Sequence, residues 1–314
     1  TLLTFLHVGS NQLTDLDVSQ NTELTTLYVG FNSLDSLDVS ANTALTVLKC
    51  ASNQLISLDV STNIALENLD LWNNQITALD VNNNTALTIL KASKNDIIAL
   101  DVSNNTALTT FSCNENELNS LDVSSNTNLT SLICYSNELT TLDVTNNTLL
   151  TNLGAGDNNF TSLDVSGNTV LTTLFCYDND LTSLDLSNNT GLTRLDCGGN
   201  QLTYLNMRNG IDSLTVFDAA NNPDLLCIET LDPASATANW TYANGNIDEG
   251  VTFSVICGAV GQDVWHVATT GSDGSGNGTQ ESPFATIQMG INASGDGNTV
   301  QVAAGSYNEN ISWI

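Results

Sequence analysis

Residues Leu24 to Leu45 read LTTLYVGFNSLDSLDVSANTAL, and this stretch states one short pattern twice. Its first half, Leu24–Leu34, is L-x-x-L-x-V-x-x-N-x-L. Its second, Leu34–Leu45, restates the pattern around a fixed Leu-Asp-Val. The leucine that opens that triplet recurs at Leu16, Leu37, Leu58, Leu79, Leu100, Leu121, Leu142, Leu163, Leu184 and Leu205, each 21 residues apart. Two asparagine series, from Asn11 to Asn200 and from Asn21 to Asn189, keep the same step, and nothing interrupts it before Gly210. Self-similarity at such a period is the mark of a solenoid.

Each L-x-L alternation suits a short strand with one buried face. The expected fold is therefore a mostly β solenoid of about eleven coils with two parallel strand ladders, one per half-phrase. At about 4.8 Å per rung the rod would be about 50 Å long, with a continuous Leu/Val core. Such a core is stable only as an array, because each coil touches only its neighbours. The invariant asparagines should lie inside the turns and satisfy backbone groups where the chain bends. Five of the seven cysteines, Cys50, Cys113, Cys134, Cys176 and Cys197, occupy a slot that elsewhere holds Val8, Val29, Leu71, Ala92 and Ala155. A slot shared by Cys, Val, Leu and Ala is a small core position, so these five are expected as buried free thiols. Their spacing lacks the convergence of a metal site.

The nested repeat resembles the leucine-rich-repeat class, in the 21-residue form called the IRREKO type, over residues 1–222. The resemblance implies a secreted or surface protein of Bacteroidetes-like bacteria. The stretch Asn221–Cys257 looks like the disulfide-bearing C-terminal cap of such repeats, which implies a Cys227–Cys257 bridge within a cap at 223–259. A cap is physically required, since the last coil would otherwise expose its core and a sheet edge. A disulfide points to an oxidising, extracytoplasmic space. Residues 260–314 resemble the entry segment of a pectate-lyase-like right-handed parallel β-helix. That resemblance implies a strand near Val264–Ala268, a glycine-rich loop, a capping helix within Ser282–Asn292 and a first coil from Gly297. The loop GSDGSGNG, Gly271–Gly278, lacks G-x-G-x-x-G, and no βαβ unit is expected around it. It reads as a flexible or ion-binding loop.

With 34 acidic and 5 basic residues, the net charge is −29. Nucleic acids and anionic membranes need clustered Lys/Arg, so neither is an expected partner. No apolar run reaches the length of a membrane span, so no membrane insertion is expected. The chain opens mid-phrase without Met or signal peptide, and reads as a piece of a longer protein.

The aspartate column, Asp17 to Asp185, stacks carboxylates one rung apart. Paired carboxylates at such spacing suit glycosidase chemistry, but here every coil carries the same group and none has a distinct partner. The column is expected to accept hydrogen bonds from Ser/Thr and backbone N–H groups at the following turn. Stacked like charges should raise some of its pKa values. No cofactor and no metal site are expected, Ca²⁺ along the column being the one ion the pattern would admit. Only His7 and His266 are present, so no Ser-His-Asp site has a candidate, and no catalytic residue is expected.

The two half-phrases differ in what varies. Outward positions of the Leu-Asp-Val half barely change, being Asp and then Ser or Thr coil after coil. Those of the other half change freely and gather aromatics and basic residues: Tyr28, Lys49, Trp72, Lys91, Tyr135, Phe175, Tyr177 and Arg194, with Lys94 nearby. Exposed aromatics beside cations are the usual makings of a binding surface. The expectation is a non-catalytic, extracellular recognition or adhesion region of a secreted bacterial surface protein. Its partner would be a protein or glycan on another cell, or a neighbouring subunit. Two other readings stand beside it: a spacer or protomer of a surface appendage, and the binding module of a polysaccharide-active β-helix enzyme.

Overall fold

The computed structural model describes residues 2–211, 213–258, 262–295 and 297–312. In chain order its elements are β1 Phe5–His7, β2 Thr26–Tyr28, β3 Val47–Lys49, β4 Asn68–Asp70, β5 Ile89–Lys91, β6 Thr110–Ser112, β7 Ser131–Ile133, β8 Asn152–Gly154 and β9 Thr173–Phe175. There follow β10 Ser183–Asp185, β11 Arg194–Asp196, β12 Tyr204–Met207, β13 Val216–Asp218, β14 Cys227–Thr230, α1 Pro233–Asn239 and β15 Thr252–Ser254. The chain ends with β16 Val264–Val267, α2 Ile287–Ala293 and β17 Thr299–Val302.

The central residue of each strand of the long sheet is a leucine or phenylalanine that points inward, and the strands stack in parallel. Leu27 pairs with Leu48 and Leu48 with Leu69, so the register step equals the sequence period. Eleven strands form one sheet, β1 to β9 followed by β11 and β13. The Leu-Asp-Val side is stacked along the same rod, but hydrogen-bonded strands form there only in the last rungs, as the four-stranded sheet β10-β12-β14-β15. Further up, the backbone spends its hydrogen bonds locally. Asn105 N–H donates to Val102 and Leu108 N–H to Asn105, a turn that repeats from coil to coil.

The second asparagine column is buried from Asn42 to Asn189 and the first is buried or half-buried from Asn32 to Asn200, with different bonding. Asn95 Nδ2 donates to Leu71 O at 3.0 Å, one coil back, and its Oδ1 accepts Ile76 N–H at 3.0 Å. In the other column Asn105 Nδ2 donates to Val81 O and Asn84 O at 3.0 and 2.9 Å. Its Oδ1 has no partner, as in seven other asparagines from Asn42 to Asn189.

Just before each asparagine of the first column sits a left-handed residue: Ser10, Phe31, Ser52, Asn73, Lys94, Glu115, Ser136, Asp157 and Asp178 all have φ between 48° and 59°. Such a backbone costs a non-glycine residue about 1–2 kcal/mol. The adjacent asparagine, bonded on both sides of the coil, holds it in place.

One apolar core runs from Val18 to Ile247, so the cap, with Trp240 packed tilted against Phe217 at 4.4 Å between ring centroids, continues the solenoid core. Cys227 and Cys257 are disulfide-bonded with Cα atoms 5.8 Å apart, and the other five cysteines are buried and free. A second cluster gathers Val255, Trp265, Val267, Phe284 and Met289. Here one expectation is corrected. β16 and β17 pair in parallel with α2 between them, so the glycine-rich loop does lie inside a β-α-β connection. The loop is nevertheless no phosphate cradle. The first N–H groups of α2, at Ile287 and Gln288, donate to the Glu309 carboxylate at 2.8 and 2.9 Å.

Candidate recognition face

Side chains flanking the buried strand leucines point outward from the long sheet, and 21-residue stacking brings them together in three groups. At the N-terminal end, Lys49 Nζ lies 4.8 Å from the centroid of the Tyr28 ring. The same ring meets Phe5 and His7 edge-on at 5.5 and 5.6 Å.

The second group forms a groove of about 410 Å³. Phe31 and Tyr135 come from its first and last coils, Trp72 stands between them, Ser93, Ser112 and Asn114 supply small side chains from Trp72 to Tyr135, and Ala51, Asp70 and Lys91 complete the lining. Lys94 lies 5.5 Å over the Trp72 ring and pairs with Glu115 at 3.4 Å. Glu115 also accepts from Tyr135 Oη at 3.5 Å, so a polar chain joins Trp72 to Tyr135. Ser93 Oγ donates to Asn114 at 2.6 Å. Lys91 is exposed and stands in register between Asp70 and Ser112. Among the described residues no ion pair involves it.

The third group lies toward the cap. Arg194 stacks on Phe175 at 4.9 Å. Tyr177 lies across Gly156, where a Cβ would sit only 2.6 Å from the ring. Glycine is therefore what lets the ring lie down. Burial, then nearby carboxylates, push the phenols of Tyr135 and Tyr177 up, keeping them protonated donors. Burial also raises the Asp196 carboxyl, helped by Asp218 and Asp178.

The expected residues thus divide, with Trp72, Lys91 and Tyr135 on one groove, Tyr28 with Lys49 on one side of it, and Phe175, Tyr177 and Arg194 on the other. Sequence reasoning missed Phe31 and Glu115, which belong to the left-handed column beside the strands. Their shared step with Ser10 and Lys94 was the available signal.

The opposite side is uniform. Each column aspartate accepts the backbone N–H two residues on, as Asp59 does from Ser61 and Asp101 from Ser103, both at 2.9 Å. Those bonds and the Ser/Thr hydroxyls hold Asp17, Asp38, Asp59, Asp101, Asp122, Asp143 and Asp164 below the usual carboxylate range. The expected upward shift from stacked like charges does not prevail: neighbouring carboxylates still push Asp17, Asp59, Asp122 and Asp164 upward, but the hydrogen bonds to the charged form outweigh them.

Residues 269–312 match a family described as a protein of unknown function, DUF1565. No protein among the curated ones matches the chain. Among solved structures, the fold is similar to the functional domain of InlJ from Listeria monocytogenes, which includes a cysteine ladder, at 34% identity and TM-score 0.64. That match covers 76% of this chain and 57% of InlJ's, so the chain spans little more than half of that relative. An internalin, inlF, of the same organism matches at 20% identity and TM-score 0.58 over 76% of this chain and 85% of its own. The ectodomain of the Arabidopsis thaliana receptor kinase GASSHO1/SCHENGEN3 matches at 22% identity and TM-score 0.62, over 74% of this chain and 30% of that one. The chain has a leucine-rich-repeat-like solenoid fold, shared with the internalins, and carries one disulfide.

Proposed function

We propose that the chain is a non-catalytic recognition module that binds a protein partner through the face of the long sheet, outside the cytoplasm. The observation that carries this reading is the asymmetry of the rod. The Leu-Asp-Val side repeats one hydrogen-bonded aspartate coil after coil. The strand side presents different aromatic, basic and acidic groups in each coil around a groove. A rod serving only as a spacer gains nothing from that difference. The Arabidopsis ectodomain, solved in complex with CASPARIAN STRIP INTEGRITY FACTOR 2, uses a similar solenoid to hold a partner. The disulfide supports an oxidising setting, and among the described residues no helix is long and apolar enough to cross a membrane. In this reading residues 1–222 recognise, 223–259 close the rod, and 260–314 begin the next domain.

The test is to probe an array of extracellular proteins, and a glycan array beside it, with the labelled chain. Trp72→Ala with Lys91→Ala should weaken a protein hit by about 2 kcal/mol or more, as loss of an aromatic anchor does. Ser61→Ala with Ser103→Ala, on the other side, should leave it unchanged. Equal losses from both faces sink the assignment, and hits confined to glycans replace the partner class. A spacer or appendage subunit is the second reading, favoured by the core that runs unbroken from Val18 to Ile247.

A further inference from the structure

The glycine-rich loop Gly271–Gly278 has no part in the recognition face, yet the structure gives it a specific seat. The repeated phrase Leu-Asp-Val-Ser, as at Leu100–Ser103, becomes Leu205-Asn206-Met207-Arg208 in the last coil. An acceptor and a hydroxyl are thus replaced by two donors. Both meet carbonyls of the loop: Asn206 Nδ2 donates to Gly274 O at 3.2 Å and Arg208 Nη1 to Gly276 O at 2.5 Å.

Asn206 is fully buried and Arg208 is 4% exposed. The Asn206 Oδ1 in turn accepts Arg208 N–H at 2.9 Å, which ties the two donors together. Arg208 Nε lies 3.2 Å from Glu229, itself 4% exposed. Glu229 accepts further from Tyr204 Oη at 3.2 Å and from Cys257 N–H at 3.0 Å, beside the disulfide. A buried ion pair is weak support for stability and is better suited to fixing geometry. The loop approaches closely enough that a Cβ on Gly274 would stand 3.4 Å from Ser187 Cβ. At Gly276 a Cβ would stand 2.3 Å from Ser272 O, so that position requires glycine. Apolar packing accompanies the polar seat, since Leu231 and Ile256 pack against the cluster of Trp265, Val267, Phe284 and Met289.

We propose that Asn206 and Arg208 form a docking site for the backbone of the glycine-rich loop. Through it the C-terminal module is fixed to the end of the repeat rod as a stiff joint. Adjacent domains ordinarily move relative to one another unless the interface prevents it. Here the departure from the repeat falls on the coil where the loop lands, and it supplies the donors that loop carbonyls need.

Two measurements on the full chain test this. Spin labels at S125C and Q301C, the buried thiols being left unlabelled in the folded chain, should give one narrow distance. A broad distribution overturns the stiff joint. Hydrogen exchange then compares N206D, which restores the repeat's own residue, with the double variant R208M/E229M, which leaves no buried charge unpaired. In both, exchange of the loop and of β16 should rise about ten-fold or more, while β1 to β9 stay as protected as before. Loop exchange unchanged in both variants refutes the docking site. Equal loosening of the last coils and the loop refutes it too, by showing these residues to be parts of cap closure alone.

Discussion

The two asparagine columns look equivalent in the sequence, and burial would rank them nearly so, Asn105 being fully buried and Asn95 7% exposed. Their bonding predicts unequal roles. In Asn95→Ala the carbonyls of Leu71, Ala92 and Ser93 lose one donor each, but each keeps another: Asn74 Nδ2, Asn116 Nδ2 and Asn73 N–H. Ile76 N–H, which donates to Asn95 Oδ1, is left buried with no acceptor. An orphaned buried donor costs about 1–3 kcal/mol, and the truncated volume adds to that, so the loss should be about 3 kcal/mol. In Asn105→Ala, Val81 O keeps Asn84 N–H and Asn84 O keeps Leu87 N–H. No group is orphaned, and the substitution removes an Oδ1 that has no partner. The volume lost is the same as in Asn95→Ala, but the bonds lost are two ordinary ones, so the cost should be about 2 kcal/mol. Guanidinium unfolding followed by far-ultraviolet circular dichroism measures the difference, and matching m-values confirm that the same cooperative unit is compared. Equal losses, or a larger loss for Asn105→Ala, would refute the reasoning.

Three further outcomes are expected. Burial pushes the Cys50 and Cys134 thiols up to about 12, so a thiol reagent at pH 8 should find none of the five free cysteines until the chain unfolds, and a fast native-state reaction would count against the slot. Asp101 is held below its ordinary value near 3.8 by bonds from Ser103, so its contribution is present above that pH and lost as pH falls through the lower folded value. The stability gap between the parent and Asp101→Ala should therefore narrow on acidification below about 3.8, whereas a gap that widens there would contradict the bonding. Leu90→Ala, at a fully buried strand centre, should cost about 2–5 kcal/mol in the same unfolding assay, and a loss under 1 kcal/mol would mean the core is loosely packed.

The period, the inward leucines, the asparagine columns and the small-residue slot of the five cysteines were legible in the sequence alone. Each is a local pattern restated in every coil, and parallel stacking at a constant register converts a linear repeat directly into a column. The aromatic and basic residues of the strand side were visible for the same reason, as the one place where the repeat varies. Other features depended on distances between coils. Lys94 and Glu115 meet Trp72 and Tyr135 from a left-handed column, a conformation that Asn73, Asp157, Asp178 and Gly199 suit but that lysine and glutamate do not advertise. Asp17, Asp38, Asp59, Asp101, Asp122, Asp143 and Asp164 lie low in pKa because each accepts from the hydroxyl and the backbone N–H of the Ser or Thr two residues on. The second ladder bonds as strands only from Ser183, and Arg208 meets the loop from across 68 residues. Such contacts follow from how coils and cap are placed in space, and a sequence period specifies which residues share a column but not how close their side chains come.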